Sequence, residues 1–213
     1  MGGINFKQID SGALHVVDGY DNILAEFGGD VVGSTDGGVG AVPVASQTAG
    51  VSVREIGNGA MRKTVFTFTD VEIAVTDGAG SGSHGSLQIY DAPEGNIIIL
   101  GGQANITMDN PDGTGVPDDT VMEVGVGSTA ISAAADGSLG STEDDIVPDI
   151  NLTLSSGTAS GSNSQSTSAA FDGTGTAMNW YFNFSGTAAT VDDDGTIEAN
   201  GTVVVLWTSL GDD

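Results

Sequence analysis

The chain has 213 residues, of which 29 are acidic and only 4 are basic, so its formal net charge is −25 at pH 7. This charge excludes naked nucleic acid and anionic membranes as partners, because their phosphates repel the chain at long range. The absence of cysteine excludes disulfides, thiolate catalysis and zinc–thiolate centres.

The N-terminal segment, about residues 1–12, carries little charge and lacks the basic start and continuous apolar stretch of a signal peptide. We expect this segment to extend from the body of the protein and to contact a neighbouring protein. No apolar run further along approaches the roughly 18 residues that a membrane helix requires. No Pro-rich or charge-rich linker divides the sequence, so we expect one domain spanning residues 1–213.

Short apolar runs, separated by Gly, Asp, Asn, Ser and Thr, predict many strands joined by turns and almost no helix. This pattern is typical of an all-β fold, and we expect a jelly-roll-like β-sandwich. One helical turn is expected in STEDDIVPD, where Ser141 or Thr142 caps the turn and Pro148 ends it. The expected strands lie near residues 14–18, 23–27, 50–56, 63–69, 70–76, 86–91, 96–101, 103–109, 120–126, 150–155, 178–185 and 202–208.

The longest apolar alternation, in VREIGNGAMRKTVFTFTDVEIAVTD, changes phase once along its length. Phe66 and Phe68 share one face of an extended chain, but the alternation from Val71 onward falls on the opposite face. A β-bulge or a change of sheet around Thr69 and Asp70 would restore one continuous buried face.

Several stretches are expected to be loops or turns. Gly80, Gly82 and Gly85 spell G-x-G-x-x-G, but a strand follows them instead of a helix, so we interpret them as a hairpin loop. The acidic DDDG at 192–195 is expected to turn another hairpin. Residues 156–176 are almost entirely small or polar, and we expect an exposed Ser/Gly-rich loop there.

The inventory for catalysis is narrow, because the chain has only two histidines. His15 falls within a predicted strand, and His84 falls within a predicted flexible loop. A Ser-His-Asp arrangement is recognised by its geometry, so no partner can be singled out among the many Ser and Asp residues. Paired carboxylates for glycoside cleavage cannot be chosen either, and aromatic residues typical of sugar sites are scarce. We therefore do not expect an enzyme.

The stretch DNPDGTGVPDD groups four acids, Asp109, Asp112, Asp118 and Asp119, around two glycines. Its second half resembles the calcium loops of thrombospondin type 3 repeats, with Thr114 in place of one ligand acid. Calcium binds about six to eight oxygens from carboxylates and carbonyls, and this loop offers several. Asp-Gly stretches are also ordinary turns, so both interpretations stay open. Calcium is the one cofactor that we consider, and no other is expected.

Four segments between residue 53 and the C-terminus share a resemblance: the alternating segment quoted above, GSLQIYDAPEGNIIILGGQANITM, STEDDIVP and NGTVVVLWTSLGDD. Together they resemble small structural proteins of tailed bacteriophages, many of them marine, that act as capsid decoration or cement proteins. The resemblance implies a noncatalytic virion protein, made in the host cytoplasm, that binds the major capsid protein on the outer capsid surface. By analogy with such proteins we expect a homotrimer. The chain departs from the family's pattern at 109–119 and 156–176, so no role of those stretches is carried over.

Three of the four basic side chains lie in the first of these segments: Arg54, Arg62 and Lys63. One interpretation is that they neutralise carboxylates on adjacent strands, such as Glu55, Asp70 or Glu72. The other is that they are interface residues, which pair with acids of a neighbouring copy or of the capsid protein, since bidentate Arg pairs suit interfaces.

Two other functions stay open. The main alternative is an extracellular carbohydrate- or calcium-binding β module for adhesion, as a component of a fibre or spike. Binding of calcium or glycans would distinguish this module from a cement protein. The third is a tail-tube or capsid-lattice subunit, although a tube subunit usually carries a helix that this sequence does not indicate.

Overall fold

A computed structural model describes residues 5–8, 14–17, 23–27, 46, 49–58, 61–78, 82–111, 116–132, 138–165, 168–187 and 194–211. Within these ranges no helix is long and apolar enough to cross a membrane. The described residues form thirteen β-strands: β1 (Asn5–Gln8), β2 (Leu14–Val17), β3 (Ile23–Phe27), β4 (Val51–Asn58), β5 (Met61–Asp77), β6 (Ser83–Asp91), β7 (Asn96–Asp109), β8 (Val121–Gly127), β9 (Val147–Thr153), β10 (Thr158–Gln165), β11 (Ala169–Phe171), β12 (Asn179–Gly186) and β13 (Gly195–Gly211).

The described strands pair in an antiparallel manner and form two sheets. The small sheet has the order β1-β2-β3. The large sheet follows the path β10-β7-β13-β5-β6-β12-β8-β9, with β4 paired to β5 and β11 paired to β7. Since β9 and β10 are consecutive in the chain and are linked by the bridge between Ser155 and Thr158, the two ends of this path meet. The nearly closed sheet confirms the expected all-β, jelly-roll-like sandwich.

The core lies between two layers of the large sheet, one containing β5 and β13 and the other containing β6 and β12. Trp207 and Phe66 of the first layer meet Trp180 of the second, with ring centroids 5.8 Å and 6.1 Å from that of Trp180. The Tyr90 ring lies 4.6 Å from Trp180 and, like the other three rings, is fully buried. Aromatic pairs of this kind add roughly 0.5–1.5 kcal/mol each beyond burial, so this cluster holds the two layers together.

The change of phase predicted within the alternating segment lies inside β5, which is one strand of 17 residues. Thr69 and Asp70 are both exposed, whereas alternate side chains before and after them are buried. Opposite these two residues β13 supplies only one, Asn200. The Asp70 N–H donates to Asn200 Oδ1 at 2.9 Å, and Asp70 has a φ of 47°. Of the two predicted alternatives, a β-bulge or a change of sheet, the structure shows a β-bulge at this point.

Several local predictions were wrong. β5 and β7 each join two expected strands into one, because both pair with β13 along most of their length and bulges absorb the irregularities. STEDDIVPD forms a turn instead of a helix, since the Glu143 N–H donates to the Gly140 carbonyl at 2.8 Å and Pro148 lies inside β9. Asp192 and Asp193 of DDDG lie outside the described residues, but the strands on either side do not form the expected hairpin, because β12 pairs with β6 and β8 whereas β13 pairs with β5 and β7.

The Ser/Gly-rich stretch 156–176 contains two strands, which differs from the exposed loop expected there. Both β10 and β11 pair with β7. A glycine is required at position 161 because a Cβ there would lie 2.5 Å from Ile150 Cγ2 and 2.8 Å from Leu152 Cδ2. Most other side chains of β10 are exposed, so their polar composition resembles that of a loop.

Gly201→Ala should destabilise the fold, because Gly201 has a φ of 130° and a Cβ there would lie 2.2 Å from the Asn105 carbonyl oxygen. Strain of this kind costs about 1–3 kcal/mol of folding free energy, to which the clash adds. The midpoint of urea unfolding, followed by tryptophan fluorescence, measures the effect. Gly175→Ala is the matched control, since nothing lies within 4 Å of its Cβ position. Equal midpoints for the two variants would contradict this prediction.

Candidate functional site

The hairpin of β4 and β5 brings the three clustered basic residues together but gives them different surroundings. Glu55 pairs with Thr64 across this hairpin, and both side chains are buried. Because side chains alternate along a strand, Arg54 and Lys63 point to the outer face, where both are exposed. Arg62 is half-buried at the end of the core.

Glu55 is the centre of a buried polar cluster. Its Oε1 accepts hydrogen bonds from the Tyr90 hydroxyl and, at 3.2 Å, from Thr64 Oγ1. Its Oε2 lies 3.5 Å from Arg62 Nη1. Trp207 Nε1 donates to Thr64 Oγ1 at 2.8 Å, and the Arg62 guanidinium carbon lies 5.3 Å from the centre of the Trp207 ring. Sequence reasoning identified neither the tyrosine nor the tryptophan, because both are far from Glu55 along the chain.

Burial raises the pKa of Glu55 above its ordinary value of 4.5, because removal from water disfavours the charged carboxylate. The hydrogen bond from Tyr90 and the charge of Arg62 act in the opposite direction without cancelling the effect of burial. The cluster is therefore a structural element in which the arginine offsets part of the cost of a buried acid.

The first interpretation of the basic residues, in which they neutralise carboxylates on adjacent strands, holds for Arg62, which pairs with Glu55. Asp70 and Glu72 do not neutralise Arg62 or Lys63, because they lie far along the same strand. Glu72 is about 30 Å from Lys63 at a rise of about 3.3 Å per residue. The interface role of the exposed basic residues stays a prediction.

Exposed large apolar side chains concentrate around Lys63. Of the five such side chains among the residues whose burial the structure describes, four lie at the end of the sheet where β5 begins and β13 ends. Leu206 pairs with Lys63 on one side and with Gly101 on the other. The fifth, Val121, belongs to β8. We define the basic–apolar patch as Lys63 together with Met61 (57% exposed), Leu100 (37%), Leu206 (41%) and Leu210 (61%).

The opposite end of the same sheet face carries three acids in one row. Glu72 of β5 pairs with Glu198 of β13, which pairs in turn with Asp109 of β7. Each acid is adjacent in its strand to a buried residue, so all three point outward, as Lys63 does. Like charges directly opposite one another destabilise a sheet. We call these three residues the acidic row. The outer face is therefore apolar and basic at the end that carries the basic–apolar patch, and acidic at the end that carries this row.

The structure places His84 in β6, and not in the flexible loop that was predicted. Ser185 pairs with His84 on one side and with Glu123 on the other. A catalytic triad needs the imidazole between the serine and the acid, whereas here the serine lies between them. Glu123 Oε2 instead accepts the Leu139 N–H at 2.7 Å. This row does not have the geometry of a catalytic triad.

The predicted calcium ligands are only partly described, because Asp112 lies outside the described residues. Asp118 Oδ1 accepts the Gly157 N–H at 2.6 Å, which ties the acidic stretch to the turn between β9 and β10. Asp109 lies in the acidic row, and Asp119 is exposed. The described part of the chain contains no group of three or more metal-binding side chains. The calcium site stays a prediction.

No protein-family model matches the sequence, and no curated protein matches it. A structure of the Gx strain of infectious bursal disease virus is 10% identical at a TM-score of 0.35, with 95% of this chain and 44% of that chain covered. The VP2 subviral particle of the same virus is 11% identical at a TM-score of 0.34, with 95% of this chain and 43% of that chain covered. A mannan-recognising carbohydrate-binding module, TmCBM27, is 11% identical at a TM-score of 0.26, with 81% of this chain and 86% of that chain covered. The chain spans less than half the length of the two viral chains, and these likenesses concern the β fold alone.

Arg62→Met should destabilise the fold by about 3 kcal/mol, because the substitution leaves a buried carboxylate without its cation. Lys63→Met is the control, since this neighbouring side chain is exposed and should change stability by about 0.5 kcal/mol or less. Urea unfolding at neutral pH measures both effects. If the two substitutions had equal effects, the structural role of Arg62 would be refuted.

Glu55→Gln should change how stability depends on pH. Because the folded pKa of Glu55 is raised, its stabilising contribution is fully present below the unfolded value of 4.5 and is lost as pH rises through the folded value. The free energy of unfolding of the wild type minus that of Glu55→Gln should therefore fall as the pH rises above 4.5 and the buried carboxyl group loses its proton. Urea unfolding of both proteins gives this difference, in which the other carboxylates cancel. A difference that rises with pH would be inconsistent with the raised pKa.

Proposed function

We propose that this chain is a noncatalytic structural protein of a virion, which binds the outer surface of a tailed-phage capsid and stabilises it. The observation that carries the proposal is the basic–apolar patch, where an otherwise acidic protein exposes four large apolar side chains around a lysine. Exposed apolar surface of this kind is typical of contacts with other proteins. The resemblance of four sequence segments to capsid decoration proteins supports a capsid as the setting.

The chemistry of the described side chains supports a role without catalysis. Ser185 lies between His84 and Glu123, an order that does not allow the imidazole to connect the acid to the serine. Arg62 of the polar cluster is half-buried, whereas the hydrogen-bonded side chains of the cluster are buried: Glu55, Thr64, Tyr90 and Trp207. The hydrogen bonds of the cluster stabilise the core, and a substrate could not reach them.

The proposed partners are the major capsid protein and further copies of the chain, with which it forms a homotrimer. The chain is made in the host cytoplasm. A net charge of −25 keeps free copies apart in solution. Screening shortens the range of this repulsion from about 8 Å at 0.15 M salt to about 3 Å at 1 M salt, so a salty medium favours assembly. Many linked copies acting together would strengthen a shell more than single contacts would.

An adhesion module on a fibre or spike is the second candidate, favoured by the acidic stretch 109–119. Ligand sites for sugars commonly offer accessible aromatic rings. Among the aromatic side chains whose burial the structure describes, all between residues 66 and 207, none is exposed: Trp180 and Trp207 are fully buried, and Phe171 and Tyr181 are half-buried. This distribution favours the capsid protein over a carbohydrate-binding module.

Binding of the purified chain to phage heads that lack it tests the proposed function. We expect the chain to co-sediment with the heads to a saturating copy number, and to raise the temperature at which the heads release DNA. The stabilisation should follow occupancy, because each bound copy links neighbouring shell subunits. Failure to co-sediment, together with absence of the polypeptide from purified virions, would contradict the proposal.

Isothermal titration calorimetry with calcium chloride and with mannan oligosaccharides tests the second candidate. Because none of the aromatic rings whose burial the structure describes is exposed, we expect no saturable heat from the sugar. Saturable sugar binding combined with no binding to phage heads would favour adhesion over capsid attachment.

A further inference from the structure

The outer face of the layer formed by β5, β13 and β7 carries opposite features at its two ends. Lys63 and the four exposed apolar side chains of the basic–apolar patch lie at one end. The acidic row of Glu72, Glu198 and Asp109 lies at the other. The ends are about 30 Å apart at about 3.3 Å per residue, so the patch and the row of one chain do not touch each other.

We infer that the basic–apolar patch of one copy binds the acidic row of a second copy of this chain. The inference rests on the proposed function, in which copies gather on a shell, and it names the partner of the patch. Its test requires only the isolated chain. The inferred self-association can therefore fail while the proposed function stands, and the proposed function can fail while the self-association stands.

Charge complementarity identifies the second copy as the occupant. Three of the four basic residues of the chain lie near the patch, whereas the register neighbours within the acidic row are themselves acids. Contact between two patches would place Lys63 against Lys63, and such like-charge contacts cost several kcal/mol. Contact between patch and row brings unlike charges together, while the apolar side chains around Lys63 exclude water from the pair.

The contact joins two different surfaces on the same face of the chain, so it can form in a twofold face-to-face pair or as a heterologous contact around a rotation axis. Heterologous contacts related by rotation close into rings, and rings leave neither patch nor row unpaired. A ring of three copies joined by these contacts agrees with the homotrimer expected for the proposed function.

Salt should strengthen the association. The repulsion between two bodies that each carry a net charge of −25 acts over the whole surface, whereas the attraction at the patch is local. Raising the salt concentration from 0.01 M to 0.15 M shortens the screening length from about 30 Å to about 8 Å, which removes most of the long-range repulsion. We expect a larger assembled fraction at 0.15 M than at 0.01 M salt in sedimentation velocity.

A charge-swap experiment identifies the surfaces. Lys63→Glu and Glu72→Lys should each weaken self-association on the order of tenfold or more, because each places like charges across the contact. The double variant Lys63→Glu, Glu72→Lys should restore assembly, since the carboxylate introduced in one copy then faces the ammonium group introduced in the next. Leu206→Ser should weaken assembly as well, whereas Val121→Ser, which alters the exposed apolar residue outside the patch, should not.

Controls separate the contact from effects of net charge or folding. The double variant Asn151→Glu, Thr153→Glu adds two negative charges at exposed positions of β9, which matches the change in net charge of Lys63→Glu, and should assemble like the wild type. Urea unfolding of every variant verifies that it folds. A wild-type chain that stays monomeric at every salt concentration would overturn the inference, as would unchanged assembly in Lys63→Glu or a failure of Lys63→Glu, Glu72→Lys to recover. A monomer that still binds phage heads would overturn the inference and leave the proposed function standing.

Discussion

The bulge in β5 is the constraint on which the rest of the architecture depends. Because Thr69 and Asp70 oppose the single residue Asn200, the side chains before and after them face the same core. Without the extra residue, every side chain of β5 beyond this point would turn to the opposite face. The first half of β5 pairs with β4 and its end pairs with β6, so the strand continues from one layer into the other.

The same strand explains why two adjacent basic residues have different roles. Arg62 turns toward the core, where it pairs with Glu55 and lies over Trp207, whereas Lys63 turns outward beside Leu206. The arginine offsets the cost of a buried acid at the end of the sandwich. The lysine gives an acidic protein one attractive surface, and the proposals on function and self-association follow from that surface.

Features that depend on neighbouring residues were predicted from the sequence. The predictions were wrong where contacts between residues distant in the sequence determine the local structure. The strands and the bulge follow from alternation of apolar side chains. The strand β10 was missed because its small polar residues resemble a loop, and only the closeness of Ile150 and Leu152 explains why position 161 needs a glycine. His84 was expected in a loop, since glycine-rich sequence surrounds it, but pairing with β12 holds it in a strand.

The amino-acid sequence by itself determined the all-β class, the position of the bulge and the strongly acidic character of the protein, because each depends on residue types and on spacing along the chain. Tertiary structure alone decided that Tyr90 and Trp207 join Glu55 in one cluster, and that Lys63 and Glu72 share one outer face with unlike surroundings. The physical reason is strand order: pairing across long sequence separations sets which side chains meet, and local alternation carries no information about which strand lies beside which.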